Sequence, residues 1–159
     1  MTGNLVDGVD IGIYVGGSER NVITGNRVTA HREGLYLHRT QENLVTSNFL
    51  EVKPNNGDRG RVIVLNVEET IPWNSWDVGQ EGYPSANNII RDNILAGGQL
   101  TIFEAAGTIG PAGNRFTDNL LVNASKTPFQ LDPVAAAIER NNQRRVDVTS
   151  KLPLEGLRR

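Results

Sequence analysis

Cysteine is absent from the 159 residues, which excludes a disulfide framework and any thiolate metal site and leaves the redox compartment unmarked. Methionine occurs only as Met1, and histidine only as His31 and His38. The soft and imidazole donors that copper chemistry draws on are therefore scarce, and no metal or cofactor is expected. Excess charge of either sign is missing too. The formal net charge is −2, too small for a global field that would gather nucleic acid or an anionic membrane surface. No apolar run approaches the roughly 18 residues of a membrane span, and the opening MTGNLVDG has neither the basic nor the apolar region of a signal peptide. Neither nucleic acid nor membrane is expected as a partner. The length suits a single domain over residues 1–159. Repeat-like sequence begins directly after Met1, as expected of a chain that starts partway through a larger pattern.

What is present is a repeated phrase: NVITGNRVT at residues 21–29, NLVTSNFLE at 43–51, NIIRDNIL at 88–95 and NRFTDNLL at 114–121. Its second asparagines fall at Asn4, Asn26, Asn48, Asn93 and Asn119, with Asn141 a weaker sixth, in steps of 22, 22, 45, 26 and 22. Periods of this size mark solenoids. The intervening residues are β-branched and punctuated by glycine, which favours short strands over helices. Tolerance of polar residues assigns the faces. Ile23, Val45, Ile90 and Phe116 never turn polar and face in, whereas Val22, Leu44, Ile89 and Arg115 face out. Val28, Leu50, Leu95 and Leu121 form a second inward column. Strand alternation, which puts residues two apart on one face, agrees with this assignment. A third strand runs through GIYV at residues 12–15 and GLYL at 34–37, with Tyr14 and Tyr36 pointing outward.

Three strands per 22-residue turn, stacked in parallel register, put like upon like at about 4.8 Å. The corner asparagines then have a structural purpose: each tolerates left-handed backbone angles and bonds its equivalent in the next coil as a ladder. On NVITGN, GLYLHRTQENLVTSN and NNIIRDN the chain resembles right-handed parallel β-helix repeat proteins of the pectate-lyase-like superfamily, over residues 3–131. The resemblance implies an all-β, right-handed parallel β-helix of about five coils, a short or truncated member of the superfamily. It also suggests an extracellular or periplasmic setting. The superfamily spans lyases, hydrolases, tailspikes, adhesins and a copper-handling periplasmic group, so fold alone selects no activity. The calcium-binding acidic column of the lyases is missing. So are the Asn-Thr-Asp, Asp-Asp and Gly-His-Gly motifs of polygalacturonase-like members. Copper handling finds little support in two histidines.

Departures from the repeat carry the functional expectations. Residues 53–60, KPNNGDRG, read as a protruding loop. Residues 68–86, EETIPWNSWDVGQEGYPSA, form the largest insertion and hold both tryptophans. Trp73 and Trp76 offer flat faces to sugar rings, while Glu68 and Asp77 are the carboxylates best suited to an acid–base pair. The same residues would equally make a small core lying on the solenoid wall. Beside the loop, an outward column of Tyr14, Tyr36, Val64, Thr101 and Gln130 is expected, flanked by Gly16, His38, Asn66, Phe103 and Asp132. A groove bearing Tyr36, His38 and Asn66 follows. Arg39, Arg59 and Arg61 would neutralise an acidic sugar, although a solvated surface arginine is the commoner case.

Residues 132–159 are expected to cap the solenoid and trail along it, with a short helix starting at Asp132–Pro133 that lays down Val134, Ala137 and Ile138. The competing reading makes Asn141 the mark of another coil. At the other end Val6, Val9, Ile11, Ile13 and Val15 lie near an open edge, so a homo-oligomer formed through that edge is expected. Two functions stay in view. One is a module that binds or processes a polysaccharide or oligosaccharide. The other is a non-catalytic interaction protein that self-associates through its first coil. Whether the chain is an enzyme is left open between them.

Overall fold

The computed structural model describes residues 1–55, 60–66, 85–104, 113–123, 129–130 and 138–145. They form β1 (Leu5–Gly16), β2 (Val22–Thr24), β3 (Arg27–His38), β4 (Leu44–Thr46), β5 (Phe49–Val52), β6 (Arg61–Asn66) and β7 (Ile89–Arg91). Then follow β8 (Ile94–Gly97), β9 (Leu100–Glu104), β10 (Arg115–Thr117), β11 (Leu120–Val122), β12 (Phe129–Gln130), β13 (Ile138–Arg140) and β14 (Gln143–Arg145). Every strand pairing is parallel, and each strand pairs with its equivalent one turn away. A five-stranded sheet runs β2-β4-β7-β10-β13, and a nine-stranded sheet covers the other two faces because the long β3 pairs with β5 through its first half and β6 through its second. This is a parallel β-helix. Residues 1–55 run without a break through between two and three coils, and later coils are represented by their strands, so the coil count differs somewhat from five.

The stacking follows the residue columns. Ile23, Val45, Ile90 and Phe116 lie in register and are buried, as are Val28, Leu50, Leu95 and Leu121. Their neighbours Val22 and Ile89 are exposed. Ile13 and Val15 pair with Leu35 and Leu37. Burial of these side chains, at about 1.5–3 kcal/mol for each large aliphatic residue, supplies the driving force.

Two asparagine ladders stitch the corners. In the first, each backbone N–H and side-chain amide donates to the next coil's Oδ1: Asn4 to Asn26, Asn26 to Asn48, Asn48 to Asn93, Asn93 to Asn119 and Asn119 to Asn142, with Nδ2–Oδ1 distances of 2.8–3.0 Å. The second, which the repeat phrase already contained in its first asparagine, links Asn21, Asn43, Asn88 and Asn114. One expectation is corrected. The left-handed residue is not the ladder asparagine but the one before it: Gly3, Gly25, Ser47, Asp92, Asp118 and Asn141 in the first ladder, and Arg20, Glu42, Asn87 and Gly113 in the second. The turn is made one position early, which leaves the asparagine extended enough to give both its backbone N–H and its amide to the same acceptor. Asn141 accordingly makes the turn and Asn142 continues the ladder.

Two further corrections concern the later coils. Ile138 lies in β13, paired with Arg115 of β10, and not in a capping helix. Its segment adds another coil, because the turn at Asn141 and the ladder bond to Asn142 reproduce the corner chemistry. Residues 132–137 lie outside the described residues. In β9 the register is shifted by two: Val64 pairs with Phe103, and Phe103 with Gln130. Phe103 therefore joins the tyrosine column that Thr101 was expected to occupy. Gly97 and Gly98 both take left-handed angles, so two residues are used in the turn before the strand starts.

Candidate functional site

The second halves of β1 and β3 carry the alternation Ile13-Tyr14-Val15 and Leu35-Tyr36-Leu37. Anchoring the aliphatic residues in the core forces both tyrosines to the outer face. Parallel register sets Tyr14 on Tyr36 and Gly16 on His38. The three rings form one cluster. Tyr14 and Tyr36 meet edge to face with centroids 5.4 Å apart, Tyr36 stacks on His38 at 5.8 Å, and Tyr14 lies 6.1 Å from His38. Edge-to-face and offset-stacked pairs at these separations are the arrangements the ring quadrupole favours. The Tyr14 hydroxyl and His38 Nδ1 share a 2.7 Å hydrogen bond.

Gly16 makes this contact geometrically available. A Cβ on Gly16 would stand 2.8 Å from Tyr14 Cε1, so the ring occupies the space that any side chain there would need. Exposure falls along the column. Tyr14 is 53% exposed, Tyr36 is half-buried, and Val64, outward by alternation and outside the core cluster, is 3% exposed. The outer face thus passes from an open aromatic shelf to a covered step within three coils.

Among the expected site residues, the structure brings Tyr36 and His38 together. Asn66 pairs in register with His38 by its backbone. Glu68, Trp73, Trp76 and Asp77 lie outside the described residues. Tyr14 completes the cluster. The alternation had placed it in the right column, but only the space left by Gly16 and the bond to His38 tie it to the site.

The arginines behave differently from solvated surface cations. Arg39 is 3% exposed. Arg61 forms an ion pair with Glu33, whose side chain is 4% exposed. Arg59 lies outside the described residues. Glu33 and Arg61 are register partners on β3 and β6, and nothing in the repeat announced them, because neighbouring coils carry Ile11 and Leu100 at those positions. The return from the large insertion is pinned by Ser85, whose hydroxyl donates to Leu37 O and accepts from Thr40 N–H.

His31 stands apart from the ring cluster. It sits between the stretches of β3 that pair with β5 and β6, with Nδ1 3.3 Å from Lys53 O. No group of three His, Cys, Asp or Glu side chains converges among the described residues. The ring cluster offers aromatic surface, one phenol–imidazole pair and hydrogen-bonding edges.

The family described as periplasmic copper-binding protein (NosD) matches this sequence over residues 1–129. No curated protein and no solved structure matches the chain.

Proposed function

The chain belongs to the NosD family of periplasmic copper-binding proteins, and from that premise we propose that it is a periplasmic, non-catalytic β-helix module that binds a polysaccharide or oligosaccharide on its Tyr14–Tyr36–His38 face. The observation that carries this reading is the exposed Tyr14 ring held against Tyr36 and His38 beside a covered step. Sugar rings present apolar C–H faces bordered by hydroxyls. A fixed aromatic shelf with phenol and imidazole edges offers a stacking surface and hydrogen-bond partners together, with little conformational entropy left to lose. The reading extends the resemblance to the pectate-lyase-like superfamily, in which Asn66, Trp73 and Trp76 would be further sugar contacts. Glu68 and Asp77 would bind sugar hydroxyls.

Copper, which the family's description carries, calls for converging imidazole or sulfur donors. This chain has no cysteine, a single methionine at Met1 and two histidines. No group of three His, Cys, Asp or Glu side chains converges among the described residues. The described residues do not fit a copper centre.

Binding to an array of neutral and acidic glycans tests the proposal. Tyr14→Ala combined with Tyr36→Ala is expected to weaken the strongest interaction about 10- to 100-fold, the scale of losing buried aromatic contacts, while far-UV circular dichroism stays unchanged. Glycan binding that is undiminished in the double variant, or a wild-type chain that binds none, overturns it.

A further inference from the structure

Ring stacking alone does not require the Tyr14 hydroxyl to meet His38, yet the wall is arranged so that it does. Parallel register sets Tyr14 beside Tyr36 and leaves His38 one column away, opposite Gly16. Because Gly16 carries no side chain, the Tyr14 ring leans into that column. A Cβ there would stand 2.8 Å from Tyr14 Cε1 and 3.0 Å from the hydroxyl oxygen. The Tyr36 ring braces both partners, edge to face with Tyr14 and stacked on His38 at an interplanar angle of 26°. The hydroxyl oxygen and Nδ1 then meet at 2.7 Å in a solvent-exposed bond. Reagents reach it across the outer face, so neither end of the stack is involved.

A phenol ordinarily titrates near 10 and an imidazole near 6.5. At neutral pH the phenol therefore keeps its proton and is the better donor, the neutral imidazole is the better acceptor, and the O–H donates to Nδ1. A protonated phenol is a poor nucleophile. A base already at hydrogen-bond distance removes that limit by taking the proton as the new bond forms. The stacked Tyr36 ring fixes the plane of the imidazole, the part an orienting third residue plays in activated hydroxyl pairs.

We propose that Tyr14 is a covalent modification site, a nucleophile activated by His38 that accepts an acyl group from an activated aryl ester. The Tyr14 oxygen attacks the ester carbonyl and forms the new O–C bond while its proton passes to His38 Nδ1. The bond to the aryloxide then breaks, and the imidazolium gives its proton to the departing group. The products are acylated Tyr14, the free aryl alcohol and neutral His38, with no change of oxidation state. An aryl ester suits the site because an electron-poor aryloxide is a weaker base than tyrosine's own phenolate, so transfer runs toward the protein. This inference rests on the hydroxyl–imidazole bond and not on sugar binding, and it stands if the glycan reading fails.

Acetylation of the full chain by p-nitrophenyl acetate at about pH 7.5, where most imidazole is neutral and phenol is protonated, tests it through site-resolved mass spectrometry. Tyr14 is expected to react roughly 10- to 100-fold faster than Tyr36, at the lower end of general-base assistance. His38→Phe keeps a ring beside Tyr36 but removes the base, and the ratio of the two rates is expected to fall about tenfold. Greater exposure of Tyr14 would raise the ratio equally in both proteins, so the fall is what identifies the base. Gly16→Ala keeps both reacting groups but puts a methyl where the Tyr14 ring leans. It should lower the ratio too, with far-UV circular dichroism unchanged. A ratio near one in the wild-type chain, or an unchanged ratio in folded His38→Phe, overturns the proposal. If His38→Phe fails to fold, an unchanged ratio in Gly16→Ala does so instead.

Discussion

A ladder asparagine contributes differently in the middle of the stack and at its end. Asn48 is 2% exposed. It accepts twice from Asn26, and its Nδ2 donates to Asn93 Oδ1, Ile23 O and Thr46 O. Asn48→Ala would strand two donors on Asn26 and take the side-chain donor from Ile23 O and Thr46 O, while Asn93 Oδ1 keeps the backbone N–H of residue 48. With each buried unmatched group costing about 1–3 kcal/mol, a loss of roughly 3–5 kcal/mol in denaturant unfolding is expected, even allowing for partial relaxation. Asn4→Ala, at an exposed position that accepts nothing from the described residues, should lose no more than about 1 kcal/mol. Equal effects at the two positions would show that the ladder is not what stabilises the corners. The repeated phrase made these asparagines legible because the same chemistry recurs at each corner. It did not reveal that the left-handed turn belongs to the preceding residue, since Gly, Ser, Asp, Asn, Arg and Glu all take that place, and such variety hides a backbone requirement from inspection. Glu33 and Arg61 were equally hidden: a pair formed once, between two coils only, leaves no period to read.

At the scale of strands and turns, the connection from β8 to β9 shows how a corner sets register. Gly97 has φ 70°, and a Cβ there would stand 2.3 Å from Val52 O. That contact is with backbone, which cannot swing aside. Gly97→Ala therefore combines left-handed strain of about 1–2 kcal/mol with displacement of β5, and the unfolding temperature is expected to fall by about 6–12 °C for a total loss of roughly 3 kcal/mol. Gly8→Ala is the control, with φ 67° but nothing within 4 Å of the added atom. It should lose only the strain term. At the aromatic shelf the register was readable from GIYV and GLYL because both strands follow the 22-residue step. It failed in β9, where the paired glycines lengthened the turn and put Phe103 in place of Thr101. The insertion at residues 68–86 has no counterpart in the repeat, so no periodic argument could position Glu68, Trp73, Trp76 or Asp77.

For the molecule as a whole, each coil touches only its neighbours, so protection against local opening should follow position in the stack. Hydrogen exchange is expected to be slower in β3 and β4, each paired on both sides, than in β1, which is paired only to β3 among the described strands. Uniform protection from β1 to β5 in dilute solution would contradict nearest-neighbour stability. At this scale the sequence conveyed architecture well and kinship less well. The copper-handling branch was set aside for lack of donors, yet the match over residues 1–129 places the chain in that family. A solenoid's repeats record how it packs, and a family can keep that packing while its donor atoms change.

The uniform sense of the ladders has an electrical consequence. Eight side-chain amide-to-amide rungs point their N–H groups toward the later coils and their carbonyls toward the first. The sheets contribute little net moment because their peptide units alternate, whereas aligned amides of about 3.5 D each add along the axis. The solenoid is thus a small electret, negative toward Asn4 and positive toward Asn142, and single copies should orient in a pulsed field like short rods.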